Sequence, residues 1–251
     1  IKWIRITSSH LSLEAMKTSR LLILLIIAVC GLALVSPARL CFYSYRSGWL
    51  VSENPRTARI IPPLSILDFN GDGSPDRIEL NAGRLNLQTG ENVLYQSPQE
   101  WDVRQAEFGD LNRDGRPEII LLVWRDFEPW PIDRLLPAGG RIDDFHDAQN
   151  RSCHIILLAW GKNGVREAWA GSALADPVTG FASGDLDGDG RAELLTMEGD
   201  YDHPGFLPAN GVKIWEWNGF GFTRLEQISL PARQIFINKF GDGSQGLIVS
   251  T

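Results

Sequence analysis

An acidic nine-residue motif occurs three times in this chain of 251 residues and constrains its fold more than any other feature. Each copy fits the pattern D-x-[DN]-x-D-G-x-x-[DE], and an apolar run follows each one at once. Carboxylates this close together repel one another, so their recurrence calls for a compensating interaction such as a bound cation. We name the copies loop 1 (68–76, DFNGDGSPD), loop 2 (110–118, DLNRDGRPE) and loop 3 (185–193, DLDGDGRAE).

A fourth, degenerate copy lies at 238–246 and reads NKFGDGSQG; we name it loop 4. It keeps Asp242 and Gly243 at positions 5 and 6 of the motif. Phe240 and Gly246 stand at positions 3 and 9, where the other copies carry oxygen-bearing side chains. The sequence therefore predicts three intact loops and one that has lost its ligands.

A segment of alternating apolar and polar residues, broken by a glycine, accompanies the loops. This pattern predicts a β-hairpin with a tight turn. The three segments are 83–95, 154–169 and 211–225. Their glycines Gly90, Gly164 and Gly219 lie 20, 21 and 19 residues before loops 2, 3 and 4. Near-constant spacing in unlike sequences indicates a repeated structural unit.

Each unit reads as an inner strand, an acidic loop, a second strand and a hairpin, and four short strands per repeat are typical of a β-propeller blade. We therefore predict an all-β chain with about four visible blades over 64–251 and an insertion at 125–152. Residues 39–63 are a linker, or 42–63 supply strands that close the ring. The last unit stops at Thr251 in mid-strand, which favours a fragment of a larger propeller over that closure.

At the three acidic loops the sequence resembles the FG-GAP and VCBS repeat family, the calcium-loop propellers that include the integrin α-subunit head. The resemblance covers roughly 64–251, and the loop motif is its most specific element. It implies a propeller with a calcium ion in the turn between two strands of each loop-bearing blade. It also implies an extracellular setting and binding rather than catalysis, without naming a ligand.

The chemistry of the loops agrees with calcium, which takes six to eight oxygen ligands at flexible distances, whereas magnesium prefers a rigid octahedron with retained waters. Side chains at positions 1, 3, 5 and 9 and the carbonyl at position 7 supply the oxygens, and we expect about three structural ions. The predicted ligands are Asp68, Asn70, Asp72, Asp76 and the Ser74 carbonyl in loop 1; Asp110, Asn112, Asp114, Glu118 and the Arg116 carbonyl in loop 2; and Asp185, Asp187, Asp189, Glu193 and the Arg191 carbonyl in loop 3.

Two other interpretations of the loops remain. Asp, Asn and Gly also favour turns that hold no metal, although three matched copies argue against that alternative. An EF-hand needs a bidentate Glu at position 12, which Glu79 supplies in loop 1. The same position is Leu121 in loop 2 and Thr196 in loop 3, and no amphipathic helix follows loop 1.

The N-terminal region predicts export. Residues 1–15 show no clear pattern and are interpreted as an upstream or non-native segment. Residues 16–38 combine basic residues, the apolar run LLILLIIAVCGLALV and a Ser-Pro-Ala sequence. This is the pattern of a signal peptide, and an uncleaved N-terminal membrane anchor is the alternative, although the run is shorter than the about 20 residues of a spanning helix. Either reading places the propeller outside the cytoplasm, secreted or membrane-anchored.

Charge and cysteine content bear on partners and compartment. The formal net charge is −7, which argues against nucleic-acid binding because phosphates attract basic surfaces. Cys30 lies in the apolar run, which leaves Cys41 and Cys153. In an oxidising compartment these two could pair, and the sequence leaves a disulfide and two free thiols equally open.

Several other residues are candidates for a binding site. The 125–152 insertion ranks first as a partner-binding element, and a flap packed on a neighbouring blade is its alternative. The 198–206 loop ranks second, with a solvated loop as the alternative. The aromatic residues on or beside the insertion are Trp124, Phe127, Trp130 and Phe145. The expected packing or surface residues are His146, His154, His203, Trp215 and Trp217.

We interpret the chain as a non-enzymatic recognition or adhesion module for protein or carbohydrate at the cell surface. One alternative is an extracellular hydrolase on polysaccharide or lipid, in which Asp143 and Asp144 would converge with Asp200 or Asp202. Another alternative is a structural propeller attached to a partner domain.

Overall fold

A computed structural model describes residues 39–46, 49–53, 58–128, 145–203, 205 and 208–251. Leu40–Thr251 forms one compact unit. The described residues form strands, turns and loops without a helix, so none of them lies in a helix that could span a membrane. The predicted segments 1–15 and 16–38 lie outside the described residues.

The described residues form seventeen strands. In chain order they are β1 (Leu40–Arg46), β2 (Trp49–Glu53), β3 (Ala58–Ile61), β4 (Ile66–Leu67), β5 (Asp76–Asn81), β6 (Arg84–Thr89), β7 (Asn92–Gln96), β8 (Asp102–Gly109), β9 (Glu118–Asp126), β10 (Arg151–Gly161), β11 (Gly164–Ala170), β12 (Val178–Gly184), β13 (Glu193–Glu198), β14 (Gly211–Trp217), β15 (Phe222–Ile228), β16 (Gln234–Phe240) and β17 (Gln245–Ser250).

The strands form four antiparallel sheets that are arranged as a four-bladed β-propeller, which confirms the predicted fold. Blade 1 is β4-β5-β6-β7, blade 2 is β8-β9-β10-β11 and blade 3 is β12-β13-β14-β15, each counted from the inner strand outward. Blade 4 is β16-β17-β1-β2, with β3 added beside β16. Loops 1, 2 and 3 join the first and second strands of their blades.

Blade 4 combines strands from both ends of the compact unit. β1 pairs with β17 over four residue pairs, from Leu40 opposite Ser250 to Tyr43 opposite Leu247. β3 pairs with β16 on the other edge. The segment at 42–63 therefore supplies strands that complete blade 4, and the structure has a ring of four blades rather than the larger ring that the unfinished last unit favoured.

Three apolar layers hold successive blades together. The sequence EIILLVW of β9 does not alternate between apolar and polar residues, because both faces of this strand are buried. Ile119, Leu121 and Val123 pack toward blade 1, whereas Ile120 and Leu122 pack toward blade 3. A third layer joins blades 3 and 4. Burial on this scale, at about 25 cal/mol per Å² of apolar surface, is the main stabilising term of the fold.

The propeller has two faces. The predicted hairpins are present, with Gly90, Gly164 and Gly219 at φ 58°, 104° and 94° in the turns between the third and fourth strands. Because neighbouring strands are antiparallel, these turns lie at the same end of each blade as the acidic loops. We call this end the loop face. The connections 127–150 and 199–210 join second to third strands and lie at the other end, the opposite face.

The structure corrects one expectation about the insertion. Trp124 is 1% exposed and packs edge-on against Tyr201 with the Arg104 guanidinium 4.3 Å above its ring, so it belongs to the core and is not an interface anchor. Phe145 packs at the margin of the same core. Trp130, Asp143 and Asp144 lie outside the described residues. Trp215 and Trp217 pack between blades 2 and 3 as expected.

The two described cysteines are unpaired. Cys41 lies in β1 of blade 4, and the buried Cys153 lies in β10 of blade 2. Burial raises the pKa of the Cys153 thiol to about 12, so this side chain behaves as a small apolar group. The question that the sequence left open is answered in favour of two free thiols.

Candidate metal centres

The first aspartate of each intact loop organises the turn. Its two carboxylate oxygens accept hydrogen bonds from the backbone N–H groups at positions 4 and 6. Asp68 accepts from Gly71 and Gly73 at 2.8 and 3.0 Å. Asp110 and Asp185 accept from the matching positions of loops 2 and 3 at 2.7–2.9 Å. The three loops therefore share one backbone conformation.

Positions 3 and 5 continue the same network. Each side chain accepts a hydrogen bond from the backbone N–H two residues later, as in an Asx turn. The acceptors at position 3 are Asn70, Asn112 and Asp187, and those at position 5 are Asp72, Asp114 and Asp189. At position 7, the N–H groups of Ser74, Arg116 and Arg191 are the donors to position 5. The predicted ligand positions 1, 3, 5 and 7 of each loop therefore belong to a single hydrogen-bonded turn.

The carboxylate at position 9 reaches back to the start of its loop. One oxygen accepts the N–H of the buried residue at position 2: Asp76 from Phe69 at 2.9 Å, Glu118 from Leu111 at 3.0 Å and Glu193 from Leu186 at 2.8 Å. Each position 9 residue also begins the second strand of its blade. The apolar position 2 side chain and the strand together bury this carboxylate.

Loop 2 contains a group that needs a further partner. Glu118 is 0% exposed, and its Oε1 atom has no hydrogen-bond partner among the described residues. Oxygen atoms of Asp110, Asp114 and Glu118 lie within 4.8 Å of one another. Burial raises the pKa of Glu118 to about 7, against the two backbone N–H groups that lower it. An unpaired buried carboxylate oxygen costs about 1–3 kcal/mol, and a cation in the loop would remove that cost.

Loop 3 brings Asp185, Asp187 and Glu193 together within the same 4.8 Å limit. Its position 9 carboxylate has a cationic neighbour, because the Arg113 guanidinium of loop 2 lies 3.6 Å from Glu193 Oε1. The other guanidinium nitrogen of Arg113 lies 2.7 Å from Glu216 on β14. Burial raises the pKa of Glu193 to about 7, and Asp187, Asp189 and Asp185 raise it further.

Loop 1 differs from loops 2 and 3 at position 9. Asp76 is one methylene shorter than a glutamate, and both of its oxygens are engaged. Oδ2 accepts from Phe69 and Asn70, and Oδ1 accepts the hydroxyl of Thr89 on β6. The carboxylate is therefore turned toward its own sheet. In this arrangement loop 1 offers a cation fewer oxygens than the sequence pattern indicates.

In loop 4 the aromatic ring of Phe240 lies against Gly246, at position 9 of the motif. A Cβ atom on Gly246 would lie 2.5 Å from Cε2 of Phe240 and would also collide with the carbonyl oxygen of Tyr43. The Phe240 ring thus occupies the space that a position 9 side chain takes in the other loops. Asp242 Oδ1 still accepts the N–H of Ser244 at 3.0 Å, so the turn remains although its ligand set is lost.

Arg113 was overlooked in the sequence, although its position held a signal. It has φ 66°, and the matching residues of loops 1 and 3 are Gly71 and Gly188, at φ 77° and 80°. A non-glycine residue in this region costs of order 1–3 kcal/mol. The ion pairs with Glu193 and Glu216 offset that cost. Arg113 therefore links the acidic loops of two neighbouring blades.

Replacing this arginine should change metal affinity in the neighbouring loop. We expect Arg113→Gly to tighten calcium binding at loop 3 about tenfold, because a positive charge next to Glu193 disappears. Calorimetric calcium titration measures the change. Arg116→Ala is the matched control, since it removes an exposed arginine of the same loop that lies outside this ion pair. Equal affinities for the two variants would contradict the assignment.

A cavity of about 380 Å³ lies where the inner strands meet. Side chains of β8 and β12 bridge blades 2 and 3 along this cavity. Gln105 Nε2 donates to the Phe181 carbonyl at 2.6 Å, and the Phe181 N–H donates to Gln105 Oε1 at 3.0 Å. The Ser183 hydroxyl donates to Glu107 at 2.6 Å. Glu107 is 3% exposed, and burial raises its pKa to about 7. This charged residue was also overlooked in the sequence.

The Glu107→Gln variant should alter the pH dependence of stability. The folded-state pKa of about 7 lies above the ordinary value of 4.5, so Glu107 stabilises the fold fully below pH 4.5 and loses that contribution as pH rises through 7. We expect the variant to match the wild type near pH 4.5 and to gain about 2–3 kcal/mol over it by pH 8. Urea unfolding across this range, with Glu100→Gln as the exposed control, measures the difference. If the stability of the variant and of the wild type changed with pH in the same way, the raised pKa of Glu107 would be contradicted.

The histidines agree with the structural roles expected for them. His154 is buried, with Nδ1 3.0 Å from the Gly171 carbonyl and Nε2 2.7 Å from the Ser152 hydroxyl, and burial lowers its pKa to about 4. His146 lies 2.8 Å from the backbone oxygen of Asp147. His203 is exposed on the opposite face.

Some described side chains of the 198–206 loop are exposed and others are buried. Asp200 and Asp202 are exposed, and the N–H of Asp202 donates to Asp200 Oδ1 at 2.9 Å. Tyr201 is buried, donates to the Leu174 carbonyl at 2.7 Å and accepts the N–H of Cys153. Glu198 is buried at the end of β13. This segment is therefore anchored by its tyrosine and presents two carboxylates to solvent.

Searches against protein-family models and against curated protein sequences find no match to this chain. The four-bladed fold and the geometry of the three loops are therefore the observations from which a function is inferred.

Proposed function

We propose that this chain is a calcium-stabilised β-propeller that acts outside the cytoplasm as a recognition module for protein or carbohydrate. The observation that carries the proposal is the fully buried Glu118, whose Oε1 atom lacks a hydrogen-bond partner among the described residues and lies next to Asp110 and Asp114. A divalent cation would satisfy that oxygen and neutralise the three carboxylates. The resemblance of the loop motif to FG-GAP and VCBS repeats supports the same function.

Calcium fits the donor set better than other cations. The available groups are carboxylate, amide and backbone oxygens in a flexible turn, and calcium accepts such ligands in irregular geometry. We expect tighter ions in loops 2 and 3, where three carboxylates converge, and a weaker one in loop 1, where Thr89 holds Asp76. These ions would tie the first strand of a blade to its second strand, which is a structural role.

The distribution of charged and polar side chains supports recognition rather than catalysis. Most oxygens of the acidic loops accept the loops' own backbone N–H groups, and Glu118 Oε1 has no such donor among the described residues, so these oxygens are suited to holding a turn and an ion. The opposite face carries the longer connections, 127–150 and 199–210, and propellers present function on such loops. The N-terminal export pattern at 16–38 and the net charge of −7 agree with an exported protein.

The number of bound ions tests the metal part of the proposal. After equilibrium dialysis at a set free-calcium concentration, atomic emission of the protein side, with the dialysate subtracted, should find about two ions per chain at low calcium and a third at higher calcium. No bound calcium at extracellular concentrations, about 10⁻³ M, would overturn it. Magnesium in excess serves as the competitor, and we expect it to displace little calcium.

A further inference from the structure

A cavity of about 290 Å³ lies between blades 2 and 3 and extends from Leu194, the residue that follows loop 3, toward the opposite face. Its walls are aromatic: Trp169 comes from β11, and Trp215 and Phe222 come from β14 and β15. One end is polar, since Asp176, Glu198 and Lys213 also line it. Because Glu198 ends β13, whose first residue belongs to loop 3, this polar end lies at the opposite face.

The aromatic walls are held in place before any ligand arrives. The Trp169 ring meets Phe222 edge-on at 5.2 Å and Trp217 at 5.8 Å. Trp215 donates its indole N–H to the Thr196 hydroxyl at 2.8 Å. These rings are half-buried rather than fully packed. A ligand that covers them gains apolar contact with little loss of side-chain freedom, which is the advantage of a preorganised site.

The polar end is a closed ion-pair network. The Lys213 ammonium pairs with Glu198 and lies 3.2 Å from Asp176. The Lys213 and Glu198 side chains are 13% and 10% exposed, whereas that of Asp176 is 55% exposed. A charged ligand would have to replace one of these pairs. A neutral ligand with hydroxyl groups leaves the pairs intact, since each hydroxyl donates to a carboxylate and accepts from the ammonium.

We propose that this cavity binds one neutral pyranose ring of a glycan, with its C–H face on the aromatic walls and its hydroxyls on Asp176, Glu198 and Lys213. A pyranose combines an apolar face with a rim of hydroxyls, which matches the division of this cavity. The inference rests on the proposed recognition function and names its ligand class and its location.

The test uses the whole chain with calcium present and a panel of methyl glucoside, methyl galactoside and methyl mannoside, with L-phenylalanine as an aromatic, zwitterionic comparison. Saturation-transfer NMR and tryptophan fluorescence measure binding. We expect saturation of ring C–H protons and a fluorescence change for at least one glycoside. Asp176→Asn should weaken that binding about tenfold, the value of one charge-assisted hydrogen bond.

Asp202→Asn is the matched control, because it is the same substitution on a nearby exposed aspartate outside the cavity, and it should bind as the wild type does. Binding of L-phenylalanine alone, no binding of any glycoside, or equal binding by Asp176→Asn would overturn the inference. If ion counts and calcium-dependent melting hold while no glycoside binds, the sugar site alone is wrong. If calcium is not bound, the proposed function fails first.

Discussion

We expect the Glu118→Gln variant to melt below the wild-type chain in calcium and above it in EDTA. At calcium about 100 times the dissociation constant, one bound ion stabilises the fold by about 2.7 kcal/mol, and the variant loses that contribution. Without calcium, the wild type keeps a buried, unpaired carboxylate oxygen beside Asp110 and Asp114, which the neutral amide relieves by about 1–2 kcal/mol. The free energy of unfolding of the variant relative to the wild type therefore changes by about 4 kcal/mol between calcium and EDTA.

Differential scanning calorimetry of both chains in the two buffers measures this change. For a unit of this size, each kcal/mol corresponds to a melting shift of about 2–4 °C. Glu128→Gln makes the same substitution at an exposed residue beyond the end of β9, and it should leave both melting temperatures unchanged. A melting order that is the same in calcium and EDTA would show that Glu118 has no ion to hold.

The Gly246→Ala substitution should destabilise the propeller by about 4 kcal/mol, at the upper end of single-residue effects. The added Cβ would collide with the Tyr43 carbonyl oxygen and lie 2.5 Å from Phe240 Cε2. The ring can shift, but the carbonyl belongs to β1, whose residue Tyr43 is paired with Leu247. Relief therefore requires β1 to move away from β17.

Urea unfolding of the purified variant measures this loss. Lys239→Ala, at an exposed position of the same hairpin, is the control and should stay within about 0.5 kcal/mol of the wild type. A Gly246→Ala protein of unchanged stability would mean that β1 does not lie against Gly246 and that blade 4 is completed differently.

The sequence predicted the features of this protein that depend on short-range order. The loop motif, the hairpin glycines and their spacing led to a β-propeller with about four visible blades, because each of these signals lies within about 20 residues of chain. Glu118 and Glu193 were predicted as ligands for the same reason. The structure brings the three expected carboxylates of loop 2 together, and in loop 3 it brings together Asp185, Asp187 and Glu193 but not Asp189.

Features that depend on contacts between blades were beyond the sequence. The pairing of β1 with β17 joins segments with no shared pattern, so ring closure remained one of two alternatives. Trp124 was expected at an interface because it adjoins the insertion, yet β9 buries both faces. Arg113 and Glu107 act on neighbouring blades. Thr89 diverts Asp76 from loop 1 through a strand pairing that the motif does not encode.

The pairing of β1 with β17 also sets the order of assembly during synthesis. Blades 1, 2 and 3 are built from consecutive strands, so they can form from local contacts as the chain emerges. β1 must wait for β17, with an open strand edge that can template aggregation. Until β17 has been made and paired, this edge of β1 is therefore the part of blade 4 that is open to pairing with another chain.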